Sequence, residues 1–318
     1  MLNSLTDQLS RSVSLTPEQV VLAVESLVDE QIPAEAKADF LIALARKGET
    51  IDEIAAFARE LRSKSIQPPL DAETRAQEIL DVCGTGGDHL NTFNISTTVA
   101  IVAAAAGVTV AKHGNRAITS QSGSADVLEA LGIRIDLTPD EAARWLREHH
   151  FAFFFAPKYH PAFKHFGPAR KLCAERGQRT IFNFLGPLLN PARPTAQLVG
   201  VPRPQLCEPI ARALQSLGVR RGMVVSGEVS PKLKAQKSKL ETDSELMEAP
   251  RAGSQSPMAN PHSAKSNAQS SMGHQPSAIG YLDELSTLGE NTIAEFYQDH
   301  GFAVSTLSAD SFPLQPAT

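Results

Sequence analysis

The 318-residue chain is 42% apolar, enough for a substantial core in one large or two modest domains. Against 30 basic residues stand 35 acidic ones, a formal charge of −5, so no basic excess supports nucleic-acid binding. The cysteines, Cys83, Cys173 and Cys207, are widely spaced, offer no zinc pattern and read as reduced thiols of a cytoplasmic protein. The N-terminus lacks the apolar core of a signal peptide, and apolar runs such as Val99 to Val110 are too short to span a bilayer, so no membrane association is expected.

Residues 1–66 read as helices. Thr16-Pro17-Glu18-Gln19 is a capping-box start with proline at the first helical position, and Val20, Val21, Val24, Leu27 and Val28 follow at helical spacing. Pro33 opens a helix with Phe40, Leu41, Ala43 and Leu44 facing inward, and Lys47-Gly48 closes it. Thr50-Ile51-Asp52-Glu53 is a second capping box, ahead of Ile54, Phe57, Ala58 and Leu61. Segment 63–71, with Pro68 and Pro69, reads as a linker.

Next comes the stretch that organises the chain. Glu78 to Val82 reads as a short buried strand running into Cys83-Gly84-Thr85-Gly86-Gly87-Asp88. A small, apolar helix is expected from Ile95 to Ala106, with Gly107 placed to end it. Strand, glycine turn and helix start together aim backbone N–H groups and a positive dipole end at an anion. Asn94, Ser96 and Thr97 stand at that start as caps or ligand contacts. A second strand, Val108 to Ala111, delivers Lys112, His113, Asn115 and Arg116 together, followed by Gln121-Ser122-Gly123-Ser124-Ala125-Asp126. The spacing fits neither the Walker loop nor the dinucleotide fingerprint, so the reading is a site for a phosphate-rich ligand of another kind.

Strands and helices then alternate. A strand is expected at 133–137, a helix capped by Thr138-Pro139-Asp140-Glu141, a strand at Phe151 to Phe155, and a helix from Ala162 to Arg176. Strands at Gln197 to Val201 and Gly222 to Ser226 flank a helix from Gln205 to Leu217. The alternation predicts an α/β fold whose parallel sheet carries helices on both sides and binds ligands at its strand ends. Taken alone, Arg170 is a solvated helix-surface charge. Residues 229–279 contain no aromatic residue, many serines and a lysine-rich start, the composition of a disordered insertion. Sequence typical of order resumes at Gly280, where the adjacent carboxylates Asp283 and Glu284 are the expected anchor for Mg²⁺ near a phosphate site. Two short strands, Asn291 to Tyr297 and Phe302 to Leu307, follow.

These motifs together resemble the anthranilate phosphoribosyltransferases. The residues that carry the likeness are Phe40 to Leu44, Lys47 to Thr50, Asp81 to Asp88, Asn91 to Thr97, Lys112 to Arg116, Ser122 to Asp126, Phe155 to Pro157, Arg179 to Pro191 and Leu282 to Ser286. The resemblance implies a small helical N-terminal domain, residues 1–70 joined by about 158–190, hinged to a larger α/β domain of 75–157 and 191–318 with a mainly parallel sheet. It implies a homodimer formed through the helical domain. The implied reaction moves a phosphoribosyl group from phosphoribosyl diphosphate (PRPP) to the amino group of anthranilate, releasing diphosphate. By the same likeness, Gly84, Gly87, Asp88, Thr92, Asn94, Ile95, Ser96 and Thr97 line the PRPP site. His113 and Gly114 also belong to the implied PRPP site, and Lys112, Asn115, Arg116, Ala117, Ile118, Thr119, Ser120 and Ser124 hold its phosphates. Gly84, Asn115 and Arg170 face anthranilate. Two Mg²⁺ ions are implied, one on Ser96 and one on Asp283 with Glu284; Lys112, Asp283 and Glu284 are the expected catalytic groups.

Three departures from the family pattern carry expectations of their own. The spacing from Arg170 to Arg179 is longer than usual, which makes Arg176 a competitor for the anthranilate carboxylate. The insertion at 229–279 is expected to leave Asp283 and Glu284 on a looser tether. The chain stops at Pro316-Ala317-Thr318, where the family continues with further helices, so reduced stability or activity is expected. Two readings compete with the transferase: a non-enzymatic nucleic-acid-binding paralogue and an inactive shortened chain.

Overall fold

The computed structural model describes residues 1–86, 93–117, 122–229, 280–287, 289–298, 300–308 and 311. The expectations for Gly87, Asp88, Thr92, Ile118, Thr119, Ser120, the inserted residues 230–279 and the C-terminal segment 312–318 lie outside the described residues.

The N-terminal part is helical: α1 (Leu2–Ser10), α2 (Pro17–Val28), α3 (Ala34–Lys47) and α4 (Ile51–Ser63). Both capping boxes form as written, Thr16 with Gln19 and Thr50 with Glu53. Glu53 has a second task. Its carboxylate accepts from the Leu15 N–H at 2.8 Å and pairs with Lys47 at 2.6 Å, both side chains buried, which joins the α1–α2 turn to the α3–α4 turn.

After α5 (Ala72–Ala76) comes the α/β part: β1 (Ile79–Gly84), α6 (Ile95–Ala105), β2 (Thr109–Gly114), α7 (Ser124–Ala130), α8 (Pro139–His149) and β3 (Phe151–Phe155). The chain then makes α9 (Ala156–Tyr159), a 3₁₀ turn over Pro161–Phe166 and α10 (Gly167–Glu175). It returns through β4 (Ala196–Gly200), α11 (Cys207–Ser216), β5 (Arg221–Val229), β6 (Gly280–Leu282), β7 (Asn291–Tyr297) and β8 (His300–Leu307). The sheet order is β3-β2-β1-β4-β5-β7-β8, with β6 beside the end of β5. The strands from β3 to β5 are parallel; β6, β7 and β8 are antiparallel additions. Chain order reverses between β1 and β4, which opens a crevice at their C-terminal ends.

Helices cover both faces. Val110 and Phe153 pack with Ala100 of α6 and Leu128 of α7 on one face; Ile79, Ala111 and Phe154 pack with Leu146 of α8 on the other. Residues 161–189 leave the sheet and lie against the N-terminal helices: Phe166, Ile181, Leu185 and Leu188 share a core with Phe40, Leu44 and Phe57. Arg62 of α4 fastens this junction. Its buried guanidinium donates twice to the Leu188 carbonyl, at 2.8 and 3.2 Å.

Three expectations need correction. The strand expected at 133–137 does not form: Ile135 belongs to the α6–α7 core and Leu137 to the α8 core, so the segment passes over the β3 edge from one face to the other. Half-burial during that crossing produces the alternating pattern without a ladder. The helix expected from Ala162 begins instead as the 3₁₀ turn, and its α-helical part starts at Gly167, ahead of Pro168. The carboxylate pair is not loosely tethered. Val229 pairs with Gly280, Glu228 with Tyr281 and Gly227 with Leu282, so the insertion leaves and re-enters the sheet at one place. Downstream, the buried Asn291 side chain accepts from Ser286 N–H at 2.5 Å and donates to Ser286 O at 2.8 Å. Asp283 and Glu284 are thus pinned from both sides.

Candidate active site

The crevice is built on a buried polar network beneath β1 and β2. Asp81 is fully buried. Its Oδ1 accepts from His113 N–H at 3.3 Å, and its Oδ2 accepts from the Asn190 amide at 2.9 Å and the Gln197 amide at 3.4 Å. Lys112, 1% exposed, donates from Nζ to Val82 O at 2.7 Å. Burial pushes the Asp81 carboxyl up and the Lys112 ammonium down, and each is opposed chiefly by the charge of the other. Glu284 also favours the Lys112 cation. Beneath the glycine turn, therefore, sits a buried ammonium whose charge is favoured by the carboxylates of Asp81 and Glu284.

Above this network the β1 turn and the Asp283 loop meet directly. Gly86 takes a positive φ of 70° and donates its N–H to Asp283 Oδ2 at 2.8 Å. A Cβ at Gly84 would overlap the Asp283 carboxylate, and one at Gly200 would overlap the Asp283 main chain. The absence of side chains on β1 and β4 is what admits the carboxylate to the crevice. Thr85 N–H donates to Gly200 O at 2.9 Å, which closes β1 onto β4 at the same point.

The start of α6 borders the crevice. Asn94, Ile95 and Ser96 are partly buried there, and Thr97 is fully buried with no hydrogen-bond partner for its hydroxyl among the described residues. The first-turn N–H groups and the dipole make this end attractive to anions. Asn94 Nδ2 reaches Ser122 O at 3.5 Å, linking α6 to the segment that follows β2. At the end of β2, Gly114 leaves room for the Ser124 hydroxyl, which donates to Asn115 O at 3.2 Å. The Arg116 side chain is held on the α7 side, bonded to Asp126 at 3.0 Å and to Glu129 at 2.5 and 2.8 Å.

A chain of rings leads from β2 to Arg170. His113 Nε2 and His160 Nε2 are 3.2 Å apart, and His113 Nδ1 lies 3.2 Å from Gly186 O, so Nδ1 of His113 carries a proton and its Nε2 accepts from His160. His160 packs on Phe163 and Phe163 on Phe182, and the Arg170 guanidinium lies over Phe182 at 5.6 Å. Burial pushes Arg170 down from its ordinary range, and it is not the solvated surface charge that its sequence setting indicates. Arg176 pairs instead with Asp39 of α3 at 2.7 Å.

The imidazole pair carries a testable pH dependence. Burial, then the neighbouring His160, pushes His113 down to about 3, and burial pushes His160 down to about 4. The unfolded chain takes up these protons as pH falls through about 6.5 and the native protein does not, so stability is lost with falling pH between about 6.5 and about 4. The slope approaches about 1.4 kcal/mol per pH unit for each imidazole. Urea unfolding at pH 7.5 and 5.5 should show this loss, and His160→Gln should reduce it; identical stability of the parent protein at both values would contradict the assignment.

Asp81 and Asn190 lie within the stretches that carry the family likeness, but the sequence assigned no role to their side chains, nor to those of Gln197, His160 and Arg62 or to Gly200. The available signal was a charge inside each of two apolar strands, Ile-Leu-Asp-Val and Val-Ala-Lys-His, since charges are rarely fully buried unless paired. The other residues act through contacts distant in sequence.

Comparison with known proteins agrees with this arrangement. Residues 3–65 match the helical bundle domain of the Glycosyl transferase family and residues 76–270 its a/b domain. The anthranilate phosphoribosyltransferase of Herpetosiphon aurantiacus is 51% identical over 214 residues, 67% of this chain and 61% of that protein. The Alkaliphilus metalliredigens protein of the same name is 47% identical over 227 residues, 71% of this chain and 65% of its own length. The chain thus spans 61–65% of the length of these two curated relatives. Among solved structures, anthranilate phosphoribosyltransferase from Thermus thermophilus superposes with a TM-score of 0.72 at 33% identity, covering 99% of this chain and 76% of that one. The Saccharomyces cerevisiae enzyme in complex with PRPP and Mg gives 0.63 at 30% identity, covering 72% and 68%. With its helical N-terminal domain, mostly parallel α/β domain and these relatives, the chain belongs to the anthranilate phosphoribosyltransferase family.

Proposed function

We propose that the chain transfers the 5-phosphoribosyl group of PRPP to the amino group of anthranilate, giving N-(5-phosphoribosyl)anthranilate and diphosphate on the route to tryptophan. The observation that carries this reading is the docking of Asp283 on the Gly86 N–H, in a crevice where Gly84 and Gly200 leave room for it. The oxygen ligands there suit a hard divalent cation. Asp283, Glu284 and Ser96 would hold Mg²⁺, two ions in all; bound there, it neutralises charge on the departing diphosphate. The α6 start and the Gly84–Gly86 turn present N–H donors to phosphate oxygens, and Lys112 adds positive potential from beneath. The C1–O bond breaks with its electron pair going to diphosphate, and the aniline nitrogen closes on C1 and then releases a proton. The amine needs no strong base, so the protein's task is to position the two substrates and exclude wrong geometries.

Arg170, rather than the Asp39-paired Arg176, would take the anthranilate carboxylate, for which a planar two-pronged cation is suited. Arg116 would serve through its backbone, its side chain being held by Asp126 and Glu129. A homodimer through the helical domain and a cytoplasmic setting complete the reading. No helix among the described residues is long and apolar enough to cross a membrane.

Mixing the protein with PRPP, Mg²⁺ and anthranilate should consume anthranilate fluorescence; a folded sample with no turnover would reject the proposal. Arg170→Lys should raise KM for anthranilate about tenfold while leaving KM for PRPP little changed. Equal rises in both constants would remove Arg170 from the anthranilate subsite.

A further inference from the structure

The residues just after β2 are held from one place on α7. Asp126 Oδ2 accepts from Ala117 N–H at 3.0 Å and from Gly123 N–H at 2.8 Å, so a single carboxylate oxygen ties together two points six positions apart in sequence. Its Oδ1 accepts from the Arg116 guanidinium at 3.0 Å. Asn115 O receives Ala125 N–H at 3.2 Å as well as the Ser124 hydroxyl. Asn115 Oδ1 accepts from Arg116 N–H at 2.8 Å, so the donor left on that side chain is its NH₂ group. Gly123 completes the fit, because a Cβ there would overlap Ala117 N and the Arg116 carbonyl carbon. Polar groups of Asn115, Arg116 and Ala117 are thereby fixed by the first turn of α7.

We propose that Asp126 is a positioning residue for the transfer reaction: its Oδ2, bridging Ala117 and Gly123, holds the Asn115–Ala117 peptides in register with the substrate crevice. The proposal rests on the transferase reading above. Asp126 need touch neither substrate. It acts through Asn115 and Ala117, and contact groups displaced from their places hold the bound donor less tightly. The two backbone bonds, ahead of the Arg116 pair, hold the carboxyl below its usual range, in keeping with an acceptor engaged as an anion.

The test compares Asp126→Ala, Asp126→Asn and Glu129→Gln with the parent protein. Asp126→Ala removes both acceptors and should raise KM for PRPP about tenfold with kcat within about threefold. Asp126→Asn keeps one oxygen for the two N–H groups and should recover part of that loss. Glu129→Gln, which removes only the outer partner of Arg116, should leave the kinetics near those of the parent. Amide hydrogen exchange at Ala117 and Gly123 should accelerate most in Asp126→Ala, less in Asp126→Asn and not in Glu129→Gln. A lowered melting temperature with KM for PRPP within about twofold of the parent would reduce Asp126 to a helix-capping residue and overturn the proposal. So would unchanged exchange at both amides. If the parent protein itself turns over no PRPP and anthranilate, the transferase reading fails with the proposed role in the reaction, and the exchange data still decide whether the clamp exists.

Discussion

Asp283→Asn is expected to lower kcat/KM for PRPP about a hundredfold or more, as loss of a preorganised charge stabiliser does. The substitution separates charge from architecture. An asparagine Oδ1 can still accept from Gly86 N–H, and the loop stays pinned by the β5–β6 ladder and the Asn291 clasp. What disappears is one negative charge that, on the proposed reading, would help to hold the cation accompanying a polyphosphate. Glu284→Gln should act in the same direction. It also removes a charge that favours the Lys112 ammonium. A melting temperature near that of the parent, together with the rate loss, is the expected pairing. Near-parental turnover in Asp283→Asn would take that residue out of the reaction.

Lys112→Ala should damage the protein twice. Asp81 is fully buried, and among its partners only Lys112 brings a neutralising positive charge; His113, Asn190 and Gln197 supply neutral donors. The two groups are coupled through space rather than by a direct contact, so losing the cation leaves the buried carboxylate less well compensated and should destabilise by more than about 1 kcal/mol. Turnover of the folded fraction should fall about a hundredfold as the positive potential beneath the glycine turn is lost. Asp81→Asn/Lys112→Met removes both charges and should be more stable than Lys112→Ala, since it leaves no uncompensated buried charge, although Val82 O loses its donor. It should stay inactive. Urea denaturation of the three proteins measures the first effect. Lys112→Ala within about 1 kcal/mol of the parent would mean that the pair does not hold the crevice together.

Local chemistry made much of the fold legible. The boxes at Thr16, Thr50 and Thr138 begin helices in the structure because each satisfies its own N–H groups within four residues. The turn after β1 was readable for the same reason: Gly86 requires a positive φ and Gly84 a bare backbone. Features that depend on register or distant contacts were hidden. Asp81 and Lys112 become partners only because β1 and β2 run side by side, and no spacing rule reports that. The alternation at 133–137 misled because half-burial over a sheet edge imitates half-burial within a strand. The long insertion misled in the other direction. Chain length alone argued for a loose tether, yet pairing of Val229 with Gly280 makes that length irrelevant to the placement of Asp283. Arg116 showed a charge at a strand end without showing its direction, which Asp126 and Glu129 decide.

The central claim is that the ends of β1 and β4, closed by Asp283 and Glu284, form one site for PRPP and its cation. A crystal structure of the protein soaked with PRPP and Mn²⁺, read by anomalous scattering, addresses it directly. The expected result is a manganese peak coordinated by Asp283 or Glu284, with diphosphate density between Gly84–Gly86 and the start of α6. Donor density elsewhere, or a metal peak remote from both carboxylates, would contradict it.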